Sequence, residues 1–221
     1  VAHRGFLFDL DGTLVDSLAM VEQAWVAWGA RRGLEADTLL AFIHGKPAMA
    51  SLRHFMAGCS EEAIQQQFLA LEETEAAAVE GIVALPGALA LLNSLDAQGI
   101  PWGIVTSGSV PVARARHRAA ALPEPAIWVT AGDITCGKPH PEPYLLGATR
   151  LQLPPEACVV VEDAAAGIAS ALDAGCYVAG VNVPAEAARR GELPLLLNSL
   201  AQLTVRRRPD GSVALTVAPP R

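Results

Sequence analysis

Four short apolar runs, each closing on a polar or charged residue, constrain this chain most: FLFDLD (Phe6–Asp11), GIVTS (Gly103–Ser107), AIWVT (Ala126–Thr130) and CVVVED (Cys158–Asp163). None alternates with polar residues, so each reads as a strand buried on both faces. From Pro86 onward they alternate with helical patterns, namely GALALLNSLDAQG, a segment starting at Pro111, PEPYLLGATRL and AGIASALDAG, and a last strand, YVAGV, follows. Such alternation predicts an α/β fold, a doubly wound parallel sheet covered by helices on both faces. The region between the first strand and Pro86 breaks the rhythm. Ser17 is placed to cap a helix bearing Leu18, Val21, Trp25 and Trp28 at helical spacing, and AMASLRHFMAG and a segment beginning after Ser60 are further helices. Residues 16–85 are therefore expected to form a small helical cap domain inserted into a Rossmann-like core made of 1–15 and 86–221. LTVRRRPDGSVALTV near the C-terminus reads as a hairpin turning at PDG.

Composition removes several function classes. With 221 residues, 52% of them hydrophobic, the chain can bury a sizeable core. Its net charge of −7 and single short basic block, Arg206–Arg208, argue against a nucleic-acid surface, which needs clustered cations. No apolar run is long enough for a membrane span and no secretory leader pattern is read, so a cytoplasmic protein without membrane association is expected. Cys59, Cys136, Cys158 and Cys176 form no CxxC pair, which argues against a zinc ribbon and predicts reduced, mostly buried thiols. No obligate protein partner is expected.

In open α/β sheets ligands bind beyond the carboxyl ends of the strands. Asp9 and Asp11, Thr106 and Ser107, Lys138, and Glu162 and Asp163 all follow strand ends. Asp9 and Asp11 would share a face of an extended strand, so a cation, a proton or a turn must relieve their repulsion. Three other motifs fail on physical grounds. GDITCGKP nearly spells a phosphate-binding P-loop, but Pro139 stands where a hydroxyl and an amide are needed. DLDGTLVDSLAM carries its glycine too early for a calcium loop and ends on Met20 instead of a glutamate. No GxSxG elbow surrounds Ser107 or Ser109.

DLDGT (Asp9–Thr13), VTSGS (Val105–Ser109), GKPHPEPY (Gly137–Tyr144) and VVVEDAAAGI (Val159–Ile168), in that order, resemble the haloacid dehalogenase superfamily, specifically its magnesium-dependent phosphatases with a helical cap. The resemblance extends over nearly the whole chain and implies hydrolysis of a small phosphorylated sugar or polyol. It assigns the attack on phosphorus to Asp9, giving an aspartyl-phosphate, and the general acid and base roles to Asp11. Mg2+ would be held by Asp9, the Asp11 backbone carbonyl and Asp163, with Glu162 as a supporting group or a further ligand. Thr106 and the amides of Ser107 and Gly108 would bind the phosphate, and Lys138 would balance its charge. The Gly12 bend then explains how the two aspartates diverge.

The insertion would exclude water and read the leaving group, with Lys46 in HGKP offered to substrate hydroxyls. A sugar phosphomutase of the same superfamily is the nearest alternative. Its resemblance weakens at Val21 and Ala48, where β-phosphoglucomutases carry a histidine and an arginine. A noncatalytic phosphometabolite-binding domain is the other alternative, and the intact Asp9, Asp11, Lys138 and Asp163 argue against it.

Overall fold

The computed structural model describes residues 1–220; Arg221, the last residue of the expected core, lies outside the described residues. The strands are β1 (Gly5–Phe8), β2 (Val15–Asp16), β3 (Val83–Ala84), β4 (Trp102–Val105), β5 (Ile127–Val129), β6 (Cys158–Glu162), β7 (Tyr177–Val181), β8 (Leu195–Leu197), β9 (Leu203–Arg207) and β10 (Val213–Val217). The helices are α1 (Leu18–Ala30), α2 (Ala36–Ile43), α3 (Ala48–Phe55), α4 (Glu61–Ala77), α5 (Ala88–Ala97), α6 (Val110–Ala119), α7 (Glu142–Arg150) and α8 (Ala165–Asp173). None of the described helices is long and apolar enough to cross a membrane.

Six parallel strands form the main sheet in the order β5-β4-β1-β6-β7-β8. Its centre is apolar on both faces because successive side chains point opposite ways. Phe6, Phe8, Trp102, Ile104, Val159 and Val161 pack on one side with Leu91, Leu92 and Leu95 of α5. Leu7, Val105, Val129, Val160 and Val178 pack on the other with Tyr144 and Ala148 of α7 and Ala171 of α8. Because β4, β1 and β6 are neighbours, the residues just past them are brought within one or two strand spacings, about 5–10 Å.

Helices α1 to α4 enclose a separate apolar cluster centred on Trp25, Trp28, Leu39, Leu52, Ile64 and Leu71. Ser60 begins α4 with its hydroxyl accepting from the Ala63 amide, as the Ser-Glu-Glu pattern predicts. The chain enters and leaves this unit side by side through the two-residue antiparallel pair β2–β3, which is too short to register in the sequence pattern. β8 was likewise not anticipated; its three leucines lie at the sheet edge. Ser17 departs from expectation, because its hydroxyl does not cap α1 and instead donates to Asp11 Oδ1 at 2.6 Å. Of the four thiols, expected to be mostly buried, only Cys158 and Cys176 are; Cys59 and Cys136 are exposed. β9 and β10 form the anticipated hairpin, with Arg206, Arg207 and Arg208 exposed.

Candidate active site

The floor of the site is built by strand ends. Asp9 follows β1, and its amide donates to the Val161 carbonyl of β6 at 3.1 Å, so the sheet ladder fixes the backbone at the point where the carboxylate leaves it. Lys138, 3% exposed, spends all three ammonium protons on Asp9 Oδ1 (3.0 Å), the Val105 carbonyl (2.9 Å) and Glu162 Oε1 (2.7 Å). Burial alone would lower its pKa, but the Asp9 and Glu162 charges outweigh this and raise it. Glu162 Oε1 also accepts from the Tyr144 hydroxyl at 2.5 Å. Gly167 is needed beneath it, since a Cβ there would overlap the Glu162 carboxylate.

Asp163 accepts from the Thr13 hydroxyl at 3.0 Å. Carboxylate oxygens of Asp9, Glu162 and Asp163 lie within 4.8 Å of one another. Burial pushes the Asp9 carboxyl up to about 7, Lys138 opposing and Asp163 adding to the rise. Burial and then the charge of Glu162 raise Asp163 in the same direction. Fully ionised, these three carboxylates beside one ammonium would leave two negative charges uncompensated, and such a set of oxygen donors is the chemistry of a hard divalent cation site. Gly12 adopts φ +80°, and a Cβ there would overlap Asp163 Oδ2, so glycine serves both the turn and this close approach.

Asp11 turns away from that cluster, as the bend at Gly12 predicts. Besides Ser17, its carboxylate accepts from Arg116 Nη1, at 3.2 Å to each oxygen. Arg116 lies on α6, 3% exposed, and its Nη2 donates to Glu75 Oε2 of α4 at 3.2 Å. Neither Arg116 nor Glu75 was picked out in the sequence. The arginine carries a usable signal, standing four residues after Val112 and three after Ala113, on the buried face of α6.

At the end of β4, Thr106 is buried and its Oγ1 accepts from the Gly108 amide at 3.1 Å. That amide, expected to meet phosphate, is therefore turned inward by a local loop bond, whereas no such bond occupies the Ser107 amide among the described residues. The Ser107 hydroxyl donates to the Gly45 carbonyl at 3.0 Å, and Pro47 packs so closely on Gly137 that a Cβ there would overlap its ring. These contacts seat the 44–47 loop of the inserted helices over the floor. Between the two lies a cavity of about 1100 Å³ lined by Asp9, Asp11, Thr106 and Asp163 below and by Trp25, Phe42, Lys46, Met49 and Phe68 above. The Lys46 ammonium sits 3.6 Å from the Phe42 ring centroid, held by the face of the aromatic ring. Val21 and Ala48 line the same space with apolar groups.

Residues 3–175 match the family described as haloacid dehalogenase-like hydrolase. The chain is 59% identical to hexitol phosphatase A of Escherichia coli (strain K12) over 96% of its own length and 98% of that protein's. It is 33% identical to validoxylamine A 7'-phosphate phosphatase of Streptomyces hygroscopicus subsp. limoneus, over 91% of this chain and 96% of that one. Among solved structures, β-phosphoglucomutase from Clostridium difficile superposes with a TM-score of 0.82 at 26% identity, covering 91% of this chain and 93% of the other.

Proposed function

This chain belongs to the haloacid dehalogenase-like hydrolases, and we propose that it is a magnesium-dependent phosphatase of small sugar or sugar-alcohol phosphates. The observation that carries the reading is the meeting of Asp9, Asp11, Thr106 and Asp163 at the floor of one roofed cavity, with Lys138 bonded to Asp9 behind them.

In this reading a carboxylate oxygen of Asp9 attacks phosphorus, and the bond to the leaving oxygen breaks as Asp11 gives that oxygen a proton. The products are the free sugar or polyol and an aspartyl-phosphate. Asp11 then takes a proton from a water that attacks the same phosphorus, releasing inorganic phosphate and restoring Asp9. Thr106 and the Ser107 amide hold phosphate oxygens, and Lys138 keeps Asp9 oriented and offsets charge. Asp9, Asp163 and the Asp11 carbonyl would hold Mg2+, whose charge would stabilise the phosphate oxygens. Glu162, bonded to both Lys138 and Tyr144, serves to hold Lys138. The helices of residues 16–85 act as the cap. Since phosphorylated sugars do not cross bilayers unaided, the enzyme works in the cytoplasm.

The likeness to a phosphomutase supports a second reading, in which phosphate returns to another hydroxyl of the sugar. Arg53 of the cap is already paired with Glu61, and Val21 and Ala48, which also face the cavity, offer nothing to a second phosphate. The discriminating experiment follows product identity with magnesium over a panel of hexose, pentose and hexitol monophosphates. Free phosphate in amounts equal to substrate consumed is expected; isomerised sugar phosphate, or preference for phosphoproteins or nucleotides, overturns the proposal. Lys46→Ala should lower kcat/KM for sugar phosphates by about ten- to a hundredfold and spare a nitrophenyl ester.

A further inference from the structure

Resting on the assignment of Asp11 as acid and base, we propose that Arg116 is a positioning residue for Asp11, and that Glu75 makes this positioning depend on the seating of the inserted helices. An acid must aim its carboxyl at the leaving oxygen, and an aspartate free to rotate would do so only part of the time. Here Arg116 Nη1 lies equidistant from both Asp11 oxygens, at 3.2 Å, and the Ser17 hydroxyl donates to one of them at 2.6 Å, so two donors together restrict rotation of the carboxylate. A planar guanidinium, with Nη1 on Asp11 and Nη2 on Glu75, holds the two acids in one fixed relation, which an ammonium does not.

The second half follows from where the anchors come from. Ser17 stands at the start of the inserted unit and Glu75 near the end of α4, its last helix, while Asp11 and Arg116 belong to the core. α4 packs along α6, and the Arg116–Glu75 pair crosses that contact. Moving the inserted helices away would therefore loosen both holds on Asp11 at once. The pair is also not built as a saturated structural bridge: Glu75 Oε1 and Arg116 Nε are buried and without partners among the described residues. Maximal bonding between these two side chains would use both oxygens of the glutamate. Instead the guanidinium is divided, one nitrogen to each acid, so that what Glu75 does to Arg116 is passed to Asp11.

The test measures kcat/KM, which reports steps through aspartyl-phosphate formation, on an alkyl substrate (a hexitol phosphate) and on p-nitrophenyl phosphate, whose leaving group needs no proton. Glu75→Gln, nearly isosteric and so the safer variant to fold, should lower the alkyl value about tenfold and the nitrophenyl value less than about twofold; Arg116→Lys should widen the gap to about a hundredfold. In an Asp11→Asn background neither substitution should lower the alkyl value further. Equal losses on both esters, or full additivity with Asp11→Asn, overturns the proposal. If Asp11→Asn alone leaves alkyl hydrolysis intact, the assignment of Asp11 has failed; if it is selectively disabling while Glu75→Gln leaves the ratio unchanged, only the positioning role has failed.

Discussion

The floor and the roof of the cavity are held by opposite kinds of interaction. Below, Lys138, Asp9, Glu162 and Tyr144 are buried and tied together by short hydrogen bonds in which every ammonium proton is used. Above, the ion pairs made within the inserted helices are wet, although Glu75 reaches down to a buried pair with Arg116: the side chains of Arg53 and Glu61 are 56% and 73% exposed, and His44 meets Glu22 at the surface. Removing one member of a buried pair strands a charge, whereas an exposed pair contributes little. The floor therefore tolerates no drift in residue type and the roof tolerates a good deal, which fits a fixed chemistry beneath a variable reader of the leaving group.

The sharpest way to break this contrast is at Asp9. Asp9→Asn should reduce turnover at least about 1000-fold, because an amide is a poor nucleophile, while leaving the metal-free fold no less stable, since a frustrated charge is lost. Steady-state phosphate release and a thermal melt check both halves, and residual turnover near wild type would remove Asp9 from the chemistry. Next comes Lys138→Ala, which strands Asp9 and Glu162 against each other and should cost about 3–5 kcal/mol in urea unfolding. A loss below about 1 kcal/mol would mean that the floor is no stiffer than the roof.

A smaller effect concerns pH. The folded Asp9 carboxyl is raised from 3.8 to about 7, so the folded state keeps a proton that the unfolded chain releases. The contribution of this one carboxyl to the stability of the metal-free protein should accordingly be greatest below about pH 4, fall as pH climbs toward 7 and level off above, by at most about 1.4 kcal/mol per pH unit, and the difference between wild type and Asp9→Asn isolates it. Mg2+ bound as proposed would compete with that proton. The rise in melting temperature on adding it should then be larger at pH 7.5 than at pH 5.5, and equal rises would dissociate Asp9 from the cation site. The smallest effect belongs to the roof, where Arg53→Ala should shift unfolding by less than about 1 kcal/mol.

Much of the floor was legible because strand ends are legible. The apolar runs locate β1, β4 and β6, and each hands its next residue to the same end of the sheet, which is how Asp9, Thr106 and Asp163 could be named together. The roof was not, because an amphipathic helix announces its buried face but not what lies across from its polar one. Glu75 sits in EETEA with two other acidic residues, Glu72 and Glu73, within three positions, and nothing in that run distinguishes it. Ser17 shows a related limit: a hydroxyl before a helix predicts a cap, and only the folded chain reveals that Asp11 captures it first. The inward turn of the Gly108 amide onto Thr106 is a loop geometry that no spacing encodes.

The 44–47 loop meets the core through a carbonyl oxygen at Gly45, a proline ring and a glycine that leaves room for it. None of these parts depends on which side chains α1 to α4 turn toward the cavity. A protein engineer could accordingly shuffle Met49 or Phe68 to admit bulkier or greasier esters and still expect the 44–47 loop to seat on the core in register, so that new substrate ranges are reachable by single steps.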